Sequence, residues 1–153
     1  MNLKNSKIKI LLVMTGVFVY MALLLYISSI QSDYNVQILT KQEAYTFSGD
    51  SDENYVVDVE INNQANRMLS SAEGQDIFLS YHLYDLNGNL ICFDNIRSCF
   101  EYSIFSGDIA EAKLYVTPLE QGEYLLGIDI IQEYVTWFNE KEDTEKIVKI
   151  TVE

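Results

Sequence analysis

Beyond residue 54 the apolar positions recur at every second residue. Tyr55, Val57, Val59 and Ile61 alternate with Val56, Asp58, Glu60 and Asn62, and Ile77, Leu79, Tyr81 and Leu83 alternate with Phe78, Ser80, His82 and Tyr84. Successive side chains of an extended chain point to opposite sides, so this period predicts strands with one buried and one wet face. Asp85-Leu86-Asn87-Gly88-Asn89 reads as a hairpin turn, because Asn-Gly adopts positive φ at little cost. Residues 90–93 form the return strand, and further strands are expected over 112–117, 123–132, 135–138 and 147–152, with 34–39 and 44–47 before them. The longest polar stretch, 62–76, reads as a connection between strands. Eight or nine short strands separated by turns predict an all-β fold, an antiparallel β-sandwich.

The first part of the chain breaks this pattern. Residues 10–30, ILLVMTGVFVYMALLLYISSI, are 21 residues without a charge. A helix of that length measures about 31 Å, roughly one bilayer core. The expected organisation is therefore a cytoplasmic tip at 1–9, one N-terminal transmembrane helix at 10–30 and an extracytoplasmic sandwich at 31–153. The run exceeds the apolar region of a typical signal peptide and no clean small-x-small site comes after it, which favours an uncleaved anchor over a cleaved signal. Lys4, Lys7 and Lys9 precede the run and no acid does, so the positive-inside rule keeps the N-terminus cytoplasmic. After the run come seven Lys and Arg against all 23 Asp and Glu, a formal charge of −16. A surface this acidic excludes nucleic acid as a default partner and disfavours anionic lipid.

Pro118-Leu119-Glu120-Gln121-Gly122-Glu123-Tyr124 leads into the strongest strand pattern. A Gly-x-Tyr at the start of a late strand matches a tyrosine corner, whose hydroxyl bonds back to upstream backbone, and points to an immunoglobulin-like sandwich. Tyr124, Leu126, Ile128 and Ile130 then share the core face. The antibody-type Cys…Trp…Cys spacing is absent. The two cysteines, Cys92 and Cys99, bracket a short loop and are a disulfide candidate in an oxidising compartment, with two separate thiols as the alternative. Inside that loop Asp94 and Arg97 are spaced for a structural ion pair, with a polar contact to a ligand as the alternative.

Four pieces, LSYHLYDLNGNLICFDNIR (79–97), FSGDIAEAKLYV (105–116), QGEYLLGIDIIQE (121–133) and YVTWF (134–138), resemble a β-sandwich domain recurrent in bacterial and archaeal proteins related to cell-surface polysaccharides. The layout is similar to the carbohydrate-binding C-terminal domain of O-antigen ABC transporters. The resemblance covers about half of the sandwich and implies a carbohydrate-related setting. Such a domain often accompanies an enzyme; here an apolar segment precedes it, and no enzyme partner is expected in the chain.

Little in the chain speaks for catalysis. His82 is the sole histidine and lies mid-strand, with no Gly-x-Ser-x-Gly elbow, so a structural role is expected and no catalytic residue is assigned. Asp50-Ser51-Asp52-Glu53-Asn54 is rich in oxygen ligands but fails as an EF-hand, having Tyr55 and Ile61 at the sixth and twelfth positions. No metal or cofactor is expected.

The candidate binding surface is a face. With Leu79 and Leu126 inward, the outward row holds Phe78, Ser80, His82 and Tyr84 beside Leu125, Gly127, Asp129, Ile131 and Glu133, unusually apolar and aromatic for a wet face. The alternatives are that a long loop covers it or that it packs on a neighbour. Trp137, the sole tryptophan, either stacks on a sugar or, as favoured, plugs one end of the sandwich. Phe78, His82, Tyr84, Asp129, Glu133 and Trp137 are accordingly the candidate ligand residues. The expected function is a non-enzymatic, membrane-anchored binding or accessory protein in cell-envelope polysaccharide assembly. The alternative is a protein-interaction scaffold without sugar contact.

Overall fold

The computed structural model describes residues 3–30, 32–49 and 53–153, and within the N-terminal helix it describes side chains for 13–26. The chain forms two compact units, Met1–Ser32 and Asp33–Glu153. The first is a single helix, α1 (Leu3–Ile30), 28 residues long. Among the described residues, no helix is long and apolar enough to cross a membrane.

The second unit is a two-layer sandwich. One sheet contains β1 (Val36–Thr40), β3 (Tyr55–Asn63) and β6 (Ile109–Val116) in the order β1-β3-β6. The other contains β2 (Ala44–Phe47), β4 (Ile77–Tyr84), β5 (Leu90–Cys92), β7 (Gly122–Gln132) and β9 (Lys146–Val152) in the order β2-β9-β7-β4-β5, and β8 (Thr136–Trp137) adds to β7. β2 runs parallel to β9, whereas the other pairings are antiparallel. Consecutive strands β1 and β2 thus lie in different sheets, and β4, β7 and β9 are neighbours although distant in sequence. This is an immunoglobulin-like arrangement.

The core lies between the sheets. β3 supplies Tyr55, Val57, Val59 and Ile61, β4 supplies Ile77, Leu79, Tyr81 and Leu83, and β7 supplies Leu126, Ile128 and Ile130, all buried. Period-2 alternation produced these rows, since each inward side chain is one of a strict every-second set. The turn after β4 is built as its chemistry dictates. Asp85 Oδ1 accepts from the Asn87 and Asn89 N–H groups, both at 2.8 Å, and Gly88 takes φ +82°. Hydrogen bonds from Asn89, side chain and backbone, and then from Asn87 hold the Asp85 carboxyl below its ordinary range. At the start of β7 the Tyr124 hydroxyl donates to the Glu120 carbonyl at 3.1 Å. Gly122 leaves room for that ring, since a Cβ there would lie 3.2 Å from the hydroxyl.

Strand limits differ from the expected ones by a few residues. The largest difference is at 135–138, where the strand is two residues and a 3₁₀ turn, Phe138–Glu140, comes next. Asp50, Ser51 and Asp52 of the oxygen-rich cluster lie outside the described residues.

Candidate functional site

β4 and β7 pair so that Ser80 faces Asp129 and His82 faces Gly127. Their outward side chains share one face of the larger sheet, as the alternation requires. That face is not an open platform. Ser80, His82 and Asp129 are fully buried and Trp137 is only 6% exposed. Of the alternatives, loop cover is what the structure has. Residues 93–98 continue from β5 along β4. There Ser98 exchanges backbone hydrogen bonds with Leu79, the Asn95 side chain donates to the Tyr81 carbonyl at 2.9 Å, and Ser80 Oγ donates to the Ile96 carbonyl at 3.0 Å. This strap lays Phe93 and Arg97 over the face. From the other side β8 and the segment leading to β9 bring Trp137, Thr144 and Glu145.

The interior of this layer is aromatic and charged. The His82 ring stacks on Phe93 at 4.4 Å and lies 4.2 Å from Trp137, centroid to centroid. The Arg97 guanidinium sits 5.3 Å over the Trp137 ring, a cation–π geometry. Arg97 also pairs with Asp94 at 2.7 Å and with Glu133, and donates to Ser80 Oγ. Burial works against its charge, but the Glu133 and Asp94 carboxylates outweigh it and hold Arg97 above its ordinary value. Asp129 accepts from Thr144 Oγ1 at 2.9 Å and from the Asn139 N–H at 3.2 Å. Burial is the larger influence, and the Asp129 carboxyl is pushed up to about 7. Tyr84 donates to Glu145 at 2.8 Å, and burial, then that carboxylate, pushes its hydroxyl up to about 12. A Cβ on Gly127 would fall 1.9 Å from Glu145 Oε1 and 2.9 Å from Tyr84 Cε2, so the bare backbone at Gly127 makes room for that pair.

The structure therefore gathers His82, Tyr84, Asp129, Glu133, Trp137, Asp94 and Arg97 into one cluster, with half-buried Phe78 on the same face. It corrects their expected role. A surface stacked against sugar requires open rings, and the His82 and Trp137 rings are buried, with Phe78 and Tyr84 only half open. Trp137 is not a plug at the end of the sandwich but lies on the outer side of the larger sheet. The candidate disulfide is also corrected, since Cys92 and Cys99 are both free. Cys92 sits at the β5 edge with its thiol toward the Asp94 carbonyl. The chain then turns at Ser98, whose Oγ accepts from the Tyr115 N–H of β6. Cys99 thereby reaches a groove of about 330 Å³ on the smaller sheet, beside Asp58, Glu111 and Lys113. Phe93, Asn139, Thr144 and Glu145 belong to the cluster and were missed. Gly127, inside an otherwise apolar strand, was the one signal that another group approaches there.

Among the described residues no group of three or more His, Cys, Asp and Glu could hold a metal ion. Ser80, His82 and Asp129 share the layer, but the Ser80 hydroxyl is spent on a backbone carbonyl and none of the three is open to substrate.

No protein-family model matches the chain, and no curated protein matches it. Solved structures do resemble it. The CARDB domain of a Pyrococcus furiosus protein, in complex with di-metal ions, is 15% identical over 78% of this chain and 88% of that one, with a TM-score of 0.40. A PapD-like domain of human CEP192 is 13% identical over 80% and 85%, with a TM-score of 0.35. A family 123 glycoside hydrolase from Clostridium perfringens is 11% identical over 77% of this chain and 27% of that one, with a TM-score of 0.38. These likenesses concern the immunoglobulin-like sandwich alone.

Proposed function

We propose that the protein is a membrane-anchored, non-enzymatic module that binds another protein through the open edge of its larger sheet. In this reading α1 crosses the bilayer, residues 1–9 stay in the cytoplasm and the sandwich lies outside. The 21 uncharged residues at 10–30 and the three lysines before them support the anchor, and this support comes from the sequence alone. The observation that carries the binding reading is β5. Among the described residues it ends the sheet, so one side of its main chain is unpaired, and it presents Leu90 and Ile91 about half exposed (51% and 53%), with Leu86 and Phe93 on either side. An exposed apolar edge pairs readily with an added strand. Asp85 and Asp94 flank it, and the sandwich carries −16 overall. The fitting partner is an extended segment with apolar residues at alternate positions and lysine or arginine beside them. That charge disfavours a second copy of this chain.

The polysaccharide setting implied by the sequence resemblance is the second reading. The buried state of His82 and Trp137 weighs against it, because a sugar would have to displace the strap to reach them. The test is a photo-crosslinking residue placed at Ile91 or at Val56 of the full chain in native membranes. A protein adduct from position 91 and none from 56 is expected, while the solubilised full chain leaves a glycan array blank. Glycan binding that survives Leu90→Lys overturns the protein-partner reading. The anchor is tested separately through exposed Cys99, which a membrane-impermeant maleimide added to intact cells should label. Protection of Cys99 until lysis contradicts the anchor's orientation.

A further inference from the structure

His82 Nδ1 lies 2.5 Å from the Phe93 carbonyl oxygen. A carbonyl only accepts, so Nδ1 carries a proton. In the neutral ring Nε2 is then a bare lone pair. It is buried without a hydrogen-bond partner and faces Asp129 Oδ2 at 3.9 Å, with both side chains fully enclosed. A lone pair and a carboxylate facing each other away from water are both costly, and a single proton between them satisfies both. On Nε2 it makes an imidazolium–carboxylate pair, and on Oδ2 it makes a neutral acid donating to imidazole. The charge sums to zero either way, and a small side-chain rotation closes the remaining gap.

The surroundings penalise any other count. Arg97, held by Asp94 and Glu133, lies over the same Trp137 ring that His82 touches. A second proton would therefore set two cations about one indole. From the segment between β8 and β9, Glu145 on the Tyr84 hydroxyl and Glu140 on Thr136 bring further negative charge. Loss of the proton would therefore leave an Asp129 anion held by neutral donors such as Thr144 and Asn139, with acids nearby.

We propose that His82 and Asp129 hold one proton between them, and that losing it loosens the strap over Trp137. The strap is where the pair meets the rest of the fold, since the carbonyl that fixes the imidazole belongs to Phe93 and the ring of Phe93 covers it. An uncompensated anion beneath that cover draws water in. Burial pushes the Asp129 carboxyl up to about 7, so the loss is sought across neutral pH. Phe93 comes directly after β5, so the same step would alter the edge strand, although the proton count does not depend on what β5 binds.

The chain has one histidine and one tryptophan, so both readouts are unambiguous. The full chain in nonionic detergent is labelled with ¹⁵N, and acrylamide quenching of Trp137 is measured from pH 5.5 to 8.5. The expected ring signal has Nδ1 protonated throughout. Quenching of Trp137 should rise at least twofold through neutral pH, and Asp129→Asn should abolish that rise. A bare Nδ1 at neutral pH, or an equal rise in Asp129→Asn, overturns the proposal. Should Asp129→Asn fail to fold, the unsubstituted chain still decides, through the Nδ1 signal and a quenching curve that is flat or not.

Discussion

On β3 the outward residues Val56, Asp58 and Glu60 meet water, whereas on β4 the outward residues Ser80 and His82 are sealed. The two strands show the same alternation in sequence. The difference lies in the neighbouring chain that packs, or does not pack, on each outer face. β3 is flanked by β1 and β6, whose outward side chains are mostly exposed, and its outer ion pair, Lys41–Glu111, is solvated on both sides. β4 is paired with a three-residue strand that continues into a strap, and the strap folds Phe93 and Arg97 back onto it. A hydrophobic period fixes which side chains share a face. It does not fix what covers that face.

The contrast can be broken most sharply by placing a charge on each outer face. Ile131→Asp on β7 buries a carboxylate at a site only 6% exposed. It should cost about 3 kcal/mol or more and lower the melting temperature of the full chain steeply. Val56→Asp, at a site 41% exposed, should stay within about 0.5 kcal/mol. Equal effects would mean that the two faces are equally open.

Ion pairs sharpen the same comparison. Arg97→Ala removes a half-buried guanidinium that engages Glu133, Asp94, Ser80 and Trp137, and should cost about 2 kcal/mol. Lys41→Ala on the smaller sheet should leave the midpoint of a denaturant melt nearly unchanged.

The His82–Asp129 pair also bears on pH response. Asp129 has its folded value raised to about 7 from an ordinary 3.8, which by itself is a contribution complete below about pH 4 and lost as pH rises toward 7. One proton shared with His82 cancels that slope between about pH 4 and 6.5, because there the unfolded chain also carries one proton, on its histidine instead of its aspartate. Urea titrations at pH 4.5, 5.5 and 6.5 should therefore give nearly equal stabilities, whereas a fall approaching roughly 1.4 kcal/mol per pH unit would mean that Asp129 titrates without His82. Tyr124→Phe should cost about 1 kcal/mol in a thermal melt, less than Arg97→Ala, from loss of the hydrogen bond to Glu120.

The core rows of β3, β4 and β7 were legible because alternation, turn chemistry at Asp85–Asn89 and the Gly-x-Tyr before β7 all act over a few residues. The pairing of β4 with β7 came from the immunoglobulin-like order. The cover was not legible. It depends on where residues 93–97 and 139–145 return after leaving the sheet, which is a matter of tertiary contact with no short period to read. The residues proposed for a ligand share one face because alternation puts them there, but from sequence that face reads as exposed. The cysteine pairing failed similarly, because Ser98 ties the strap to β6 and sends Cys99 toward the other sheet.

The outer face of the larger sheet is a closed layer rather than an open binding surface. His82, the sole histidine, reports it directly through acylation of its imidazole by diethylpyrocarbonate. In the folded full chain at pH 6, where the strap is closed, His82 should remain unmodified over a time in which free histidine reacts completely, and should react once the chain is denatured. Modification of the native chain at the rate of free histidine would contradict the account.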